Sequence, residues 1–508
     1  MIPVLDSVQM READRITIHD LGLPSLVLME QAAGAVTDVV TERFTEAGSV
    51  LVLCGPGNNG GDGLACARQL LCRGVDVEAL VLTEESALRG DAGAQLDLAR
   101  RFGVAVRVAP GDDLGPLDEA LARSGVVVDA LFGTGLDRPL DGRWAEIVRR
   151  VNLCGRPVVA VDVPSGLSGG SPAVCGEVIE AAVTVTFGAP KLTHVMAPAC
   201  WHCGDVGVAN IGIPPWVVEA QARLGVLEVD DVGGWLPVRP LDAHKGQFGH
   251  LLVVAGRVGR AGAAALAARA AVVMGTGLVT VATAEGAMAP IQSLVPEAMV
   301  DALPDGHEMD ALATSLERAT AVAVGPGLGT GDGSRRLLDG LLAAWSGPLV
   351  LDADALTLLA GRLGVLVSRP APALLTPHPG ELGRLLGWTT EQVTADRRVA
   401  AREAATISGA VILAKGARSL VVGGEGWDLV NPTGSVGLAA GGSGDVLTGL
   451  VGSLMAQGLG AREAAAAGAW LHGRAAELAG ARYPGVVPAS VVIEHLPAAE
   501  AEAREARP

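Results

Sequence analysis

Short runs of Val, Leu, Ile and Ala recur along the whole chain, and they constrain its fold more than any other feature. In the first half they read as strands at Val50–Cys54, Val77–Leu82, Val126–Leu131, Val158–Val163, Val183–Phe187 and Val206–Ile211. In the second half they read as strands at His250–Ala255, Leu278–Ala282, Ala321–Val324, Leu349–Asp352, Ala373–Leu375, Val411–Ala414 and Ser419–Val422. The runs are continuous rather than alternating, which marks strands covered on both faces and hence parallel sheets. Parallel neighbours need crossover connections. The intervening segments, such as Asp91–Phe102 and Ala261–Met274, are long enough to supply them as helices. The expected architecture is α/β, with two layered α/β/α domains.

The break between the halves lies between Ile213-Pro214-Pro215 and His244-Lys245-Gly246, where Pro237, Pro240 and Gly233-Gly234 also interrupt regular structure. One short connector helix is expected there, at Val217–Leu224. The domains are read as residues 1–220 and 221–500. The Ala/Glu-rich tail after Pro497 is expected to fray or to form a loose helix. No repeat at a fixed period appears, and the halves share no motif.

At 508 residues, length alone suggests two to four domains. Apolar residues make up 49% and charged residues 19%, which supports large cores and argues against disorder. No uninterrupted apolar run reaches the ~18 residues of a membrane span. Met1-Ile2-Pro3-Val4-Leu5-Asp6 reads as no signal peptide. Seven Cys without framework spacing point to a reducing compartment and a cytoplasmic protein. Cys200 and Cys203 frame Trp201-His202, but no second pair stands near them, so no metal is assigned there. The net charge of −18, without a basic stripe, argues against nucleic acid as a partner. Phosphorylated ligands would be met by local devices: backbone amides, a Lys, a metal ion.

Two glycine-rich stretches suggest such devices. In Leu438-Ala439-Ala440-Gly441-Gly442-Ser443-Gly444-Asp445, missing side chains let backbone amides close on a ligand oxygen. A helix starting near Asp445 adds its positive dipole end. An Asp beside an anion hole can take a proton from a hydroxyl that attacks a phosphoryl group. In the first half, Val50–Cys54 runs into Gly55-Pro56-Gly57-Asn58-Asn59-Gly60-Gly61-Asp62-Gly63 and then a helix at Leu64–Leu71. The spacing is not that of the dinucleotide fingerprint. Asn and Asp oxygens suit a hard cation or ribose hydroxyls. Polar residues also follow three further strands: Asp129 to Pro139, Asp162-Val163-Pro164-Ser165-Gly166-Leu167, and Phe187-Gly188-Ala189-Pro190-Lys191. In an open parallel sheet these loops would converge on one crevice.

Those four segments of the first half resemble the NAD(P)H-hydrate epimerase domain, and Gln9-Met10-Arg11-Glu12-Ala13-Asp14 with Leu28-Met29-Glu30 fits its first helix. The second half is similar to the nucleotide-dependent NAD(P)H-hydrate dehydratase domain of the ribokinase-like fold. The matching segments are His244-Lys245-Gly246-Gln247-Phe248-Gly249-His250, Gly325-Pro326-Gly327-Leu328-Gly329, Asp352-Ala353-Asp354-Ala355-Leu356, Thr376-Pro377-His378-Pro379-Gly380-Glu381 and Gly441-Gly442-Ser443-Gly444-Asp445. The resemblance implies a Rossmann-like first domain and a ribokinase-like second one. Their combined task is repair of NADH and NADPH hydrated across C5–C6: epimerisation of the R and S forms at C6, then nucleotide-dependent dehydration of the S form. The class is therefore both isomerase and lyase.

The resemblance implies that substrate lies against Asn58, Asn59, Gly60, Gly61 and Asp62, and against Gly133, Thr134, Gly135, Leu136, Asp137, Arg138 and Pro139. It implies K+ between Asn59, Asp129 and Ser165, and Asp162 as acid/base. In the second domain it implies Asp445 as base, Gly444 at the phosphoryl group, and Lys415, Gly416, Ala417, Arg418 and Ser419 around the nucleotide. Ala263, Gly327 and His378 would line the substrate. Mg2+ with ADP is the implied cofactor, with Glu381 either helping to hold it or simply starting a helix; ATP in place of ADP stays open. A homo-oligomer is also implied, with small-molecule partners only and no membrane. Ser435-Val436-Gly437 and Ala440 depart from the family's Asn-Pro-Gly and Thr. Two rivals remain: a small-molecule kinase, and a non-catalytic first half.

Overall fold

The computed structural model describes residues 1–44 and 48–507. The chain forms two compact units, Pro3–Leu224 and Gly225–Pro508, with Met1–Ile2 joining the second. In chain order the strands are β1 (Ile2–Val4), β2 (Val50–Cys54), β3 (Val77–Val81), β4 (Ala105–Val108), β5 (Val126–Ala130), β6 (Val158–Val161), β7 (Val183–Phe187), β8 (Asp205–Ala209) and β9 (Leu224–Val226). They continue as β10 (His250–Val254), β11 (Leu278–Thr283), β12 (Met299–Ala302), β13 (Ala321–Val324), β14 (Leu349–Leu351), β15 (Ala373–Leu375), β16 (Val411–Ala414), β17 (Leu420–Val422) and β18 (Asp428–Val430).

The first unit holds a seven-stranded sheet of order β4-β3-β2-β5-β6-β7-β8, parallel throughout. Every residue of β2, β5 and β7 is buried, as their unbroken Val/Leu runs require. Leu51, Leu53, Leu80, Val127, Ile147 and Val151 form one core cluster between this sheet and its helices. Each such side chain taken from water contributes about 1.5–3 kcal/mol. The strand order reverses between β2 and β5, and at that switch a crevice opens beyond the strands' carboxyl ends.

The second unit's sheet runs β9-β18-β17-β16-β15-β14-β13-β10-β11-β12, with the strand at Ile2–Val4 beyond β9. From β12 to β16 every pairing is parallel, and the order reverses between β10 and β13. β16, β17 and β18 pair antiparallel, against the all-parallel expectation. Only Lys415–Ser419 join β16 to β17, too few residues for a crossover.

Other expectations are corrected. Asn58–Cys72 is a single helix, so the Asn-Asn-Gly-Gly-Asp segment is its opening turns rather than a loop. The supposed first helix is two, Ser7–Arg15 and Ser25–Arg43. The connector contains a helix at Pro215–Gln221, β9 and a second helix at Val229–Trp235. Gly233 is not a break: a Cβ there would sit 2.1 Å from the Ala503 carbonyl oxygen, so close helix packing requires glycine. The tail is an ordered helix, Ala489–Glu505, anchored by buried Ala499 and Ala503 and by Arg474 paired with Glu502. β4, β9, β12 and β18 are short, and β4 and β12 are partly exposed, so they lack the continuous apolar signal.

Candidate active site

In the first unit a cavity of about 630 Å³ lies at the switch point. Asn58, Asn59 and Asp62 reach it from the helix after β2, Gly133 to Pro139 from the loop after β5, and Asp162 from the end of β6. Gly60 and Gly61 do not line it. A Cβ on Gly60 would lie 2.2 Å from the Gly55 carbonyl oxygen, and one on Gly61 would lie 2.9 Å from Ala92 Cα. These two glycines let the helix seat on its neighbours, which leaves Asn59 and Asp62 to face the crevice.

Asp162 has φ of 65°, a left-handed conformation that a non-glycine residue adopts at a cost of about 1–3 kcal/mol. Its Oδ1 accepts hydrogen bonds from Lys191 Nζ at 2.7 Å and Thr186 Oγ1 at 2.9 Å. Lys191 is 1% exposed and also donates to Thr186 Oγ1 and the Phe187 carbonyl. Burial alone would raise the Asp162 carboxyl, but the Lys191 ammonium outweighs it and holds the group below the usual carboxylate range. Beside them, burial followed by Lys191 lowers His194 to about 3, so this imidazole stays neutral. Burial pushes Asp62 well above its ordinary value, with Asp162 and Asp14 adding to the rise.

Beneath the crevice floor, Ser165 Oγ lies 2.7 Å from Asp129 Oδ1, and Ser165 N donates to Asp129 Oδ2 at 2.8 Å. Burial raises Asp129 to about 6, opposed only by hydrogen bonds from Ser165 and Leu131. Asn59 Nδ2 is buried with no hydrogen-bond partner among the described residues, and the Asn59 amide packs against Gly133.

In the second unit the glycine stretch lies where the sequence places it. Gly442, with φ of 89°, precedes the helix Ser443–Ala456, and a Cβ there would meet Leu266 Cδ1 at 2.6 Å. Asp445 stands in the helix's first turn. Burial raises its carboxyl to about 6, with Asp352 reinforcing the rise and Lys415 opposing it. Lys415, directly after β16, donates to Asp352 Oδ1 at 2.8 Å. Asp352 is 1% exposed and also accepts from Thr448 Oγ1 at 2.6 Å. Burial would raise the Asp352 carboxyl, but Lys415 holds it down. Gly444 lies beside Lys415: a Cβ there would sit 3.5 Å from Lys415 Nζ, at ordinary contact distance.

Ala263 and Gly327 are neighbours: a Cβ on Gly327 would lie 3.3 Å from Ala263 Cβ. His378 caps the helix Pro379–Leu386. Its Nδ1 accepts from Gly380 N, and Glu381 Oε2 accepts from His378 N at 2.9 Å. Glu381 is also 3.8 Å from Lys415 Nζ. Gly416, Ala417, Arg418 and Ser419 form the turn from β16 to β17, where Arg397 donates to the Ala417 and Arg418 carbonyls. Ser435 caps the turn Val436–Leu438, and Gly437 packs against Val487.

Among the described residues only Asp162, Ala353 and Arg418 combine a side chain with positive φ, and all three lie in these two sites. Sequence reading left Lys191, Thr186, Asp352, Thr448 and His472 without roles. An Asp directly after one apolar strand and a Lys four residues after another were the available signals for two of them, Asp352 and Lys191. His472 is buried and lowered to about 4 by burial, and its backbone partner is Ser443 at the start of the helix Ser443–Ala456. Nothing in its helical sequence context announces that contact.

Two family descriptions match: YjeF-related protein N-terminus over residues 25–193, and NAD(P)H-hydrate dehydratase over residues 251–498. A bifunctional NAD(P)H-hydrate repair enzyme from Moorella thermoacetica is 39% identical, covering 93% of this chain and 92% of its own length. One from Escherichia coli is 34% identical, with 93% and 89% covered. Among solved structures, a ribokinase-like superfamily protein from Enterococcus faecalis aligns with TM-score 0.51 and 27% identity, covering 55% of this chain and 96% of that one. A hypothetical protein from Streptococcus mutans aligns with TM-score 0.50 and 29% identity, covering 55% and 99%. The chain belongs to the family of bifunctional NAD(P)H-hydrate repair enzymes.

Proposed function

We infer that the chain restores hydrated NADH and NADPH in two reactions, one in each unit: epimerisation at C6, then dehydration of the S hydrate at the expense of a nucleotide. The observation that carries this reading is the pair of carboxylates in opposed settings. Asp162 is held ionised by Lys191, while Asp445 titrates near 6 beside glycine amides and Lys415.

In the first unit the ring nitrogen lone pair expels the C6 hydroxyl, which leaves as water after protonation. The resulting iminium takes up water on either face, and Asp162 handles the proton. Asn58, Asn59, Asp62 and residues 133–139 hold the dinucleotide. In the second unit Asp445 takes the proton of the S hydroxyl as its oxygen attacks the terminal phosphoryl group. The amides at Gly442 and Gly444 hold the phosphoryl oxygens, and Lys415 neutralises charge as the nucleotide leaves. The nitrogen lone pair then expels phosphate, and loss of a C5 proton restores the dihydronicotinamide. Lys415 and the turn Gly416–Ser419 hold the nucleotide, while Ala263, Gly327 and His378 line the substrate.

Potassium fits the first site on its donor chemistry. The buried Asp129 carboxylate has hydrogen bonds but, among the described residues, no cationic side chain as a partner; the Ser165 hydroxyl is 2.7 Å from it, and Asn59 lines the cavity. When bound, the ion supplies the missing counter-charge and fixes the loops that carry these oxygens. For magnesium, no cluster of three or more His, Cys, Asp or Glu suited to a metal forms among the described residues. It fits only as an ion held by the nucleotide's phosphates with its own waters, and Glu381 serves as a helix cap. ADP is the proposed donor on the strength of the domain fusion, with ATP as the alternative. No disulfide forms among the described residues, in keeping with the cytoplasmic setting proposed here. No described helix is long and apolar enough to cross a membrane. A homo-oligomer with small-molecule partners completes the reading.

Two measurements test it. Asp445 must be ionised to act as base, so kcat/KM for dehydration rises with pH through about 6 and then levels. A flat profile across that range removes Asp445 from the role. Replacing K+ with a large organic cation at constant ionic strength lowers epimerisation about 10–100-fold and spares dehydration. Asp129→Asn abolishes that K+ response; a response that persists in the variant places the ion elsewhere.

A further inference from the structure

We propose that Asp14 is a second catalytic group of the epimerase site, acting at C6 from a different wall of the cavity than Asp162. The inference rests on the epimerase reading above. Asp14 sits on the helix Ser7–Arg15 and lines the same cavity as Asp162, which stands at the end of β6. No hydrogen bond or salt bridge to the Asp14 carboxyl forms among the described residues, whereas Asp162 is tied to Lys191 and Thr186. A half-buried carboxyl that faces a ligand cavity without a partner has no structural task that a neutral side chain could not perform.

The charged groups facing Asp14 are Lys191, Asp162 and Asp62. Burial raises the Asp14 carboxyl to about 6, with Lys191 pulling it down and Asp162 pushing it up. The two carboxyls are thus driven apart: Asp162 is ionised while Asp14 can hold a proton near neutrality. A pair separated in this way supplies an acid and a base at one centre. Asp62 lies beside them, and burial raises its carboxyl as well.

The C6–O bond breaks as the nitrogen lone pair forms the C=N bond, and the leaving hydroxyl takes the Asp14 proton and departs as water. A second water attacks C6 on the other face, and Asp162 takes its proton. The product carries the opposite configuration, and one proton has moved from Asp14 to Asp162. The reverse direction uses the pair with roles exchanged, or solvent resets it through the cavity mouth. Both directions require the pair to carry one proton, so activity falls as pH rises through about 6, where Asp14 loses its proton, and falls again in acid below the usual carboxylate range, where Asp162 gains one.

The test uses the full-length chain with R-enriched NADH hydrate, K+ and no nucleotide, with the epimers separated chromatographically and uncatalysed exchange subtracted. Asp14→Asn is expected to lower kcat by about 100-fold or more while KM changes less than about threefold. Asp14→Glu is expected to regain part of that loss and to shift the alkaline limb. An unfolding temperature of the first unit matching that of the wild type in both variants verifies that the site is intact. Asp14→Asn within about threefold of the wild type, or Asp14→Glu as inactive as Asp14→Asn with an unmoved limb, overturns the proposal. A wild-type chain that does not epimerise at all overturns the underlying epimerase reading instead.

Discussion

An Asp445→Asn chain loses nucleotide-dependent dehydration by roughly a thousandfold in kcat, because no other group takes the hydroxyl proton. Its nearest charged neighbours cannot substitute. Asp352 is locked between Lys415 and Thr448, and Lys415 is paired and protonated. Epimerisation by the same chain stays at the wild-type rate. Stability moves the other way. The folded Asp445 carboxyl sits above its unfolded value, so this group favours the fold while protonated at low pH and loses that contribution as pH rises through about 6. An amide removes the buried charge, and the second unit's unfolding temperature at neutral pH is expected to rise or hold. Calorimetry beside the dehydratase assay checks both statements. A fall in stability that parallels the fall in activity makes Asp445 a structural residue.

The second large effect is at Asp162. Asp162→Asn stops epimerisation, by about a thousandfold or more, and leaves Lys191 buried without its counter-charge. Stranding a buried charge costs about 3–5 kcal/mol, so the first unit also unfolds earlier. The double variant Asp162→Asn with Lys191→Met separates the two effects: stability returns and epimerisation does not. Lys191→Met alone leaves burial opposed chiefly by the Thr186 hydrogen bond, so the Asp162 carboxyl rises and is less readily ionised. Epimerisation returning in the double variant contradicts the assignment of Asp162.

Much of this was legible in the sequence, for a physical reason. β2, β5, β7 and β13 to β16 are buried on both faces, so their apolar runs are unbroken and their ends fall close to where the composition changes. Asp129 stands near the end of β5, the segments after β6, β7, β14 and β16 carry Asp162, Lys191, Asp352 and Lys415, and a parallel sheet delivers such strand ends to one edge. Edge elements were harder to see. β4 and β12 are partly exposed, and β9 and β18 have three residues each, so none has a run to detect. Glycines misled in two places. Gly60 and Gly61 look like a phosphate loop but sit inside a helix because neighbouring backbone leaves no room for a side chain. Gly233 looks like a break but is the contact point for the helix Ala489–Glu505. The pairing of Lys191 with Asp162, and of Lys415 with Asp352, depends on which strands are neighbours in space. That information is absent from the local pattern.

The most direct test of the account mixes the chain with an equilibrated R and S mixture of hydrated NADH, together with magnesium, potassium and either ADP or ATP. The near-ultraviolet absorbance of the restored dihydronicotinamide is then followed. The account predicts complete recovery with at least one nucleotide, faster than the uncatalysed interconversion of the epimers allows. Recovery that halts at the S fraction contradicts the epimerase assignment, and no recovery with either nucleotide contradicts the repair function as a whole.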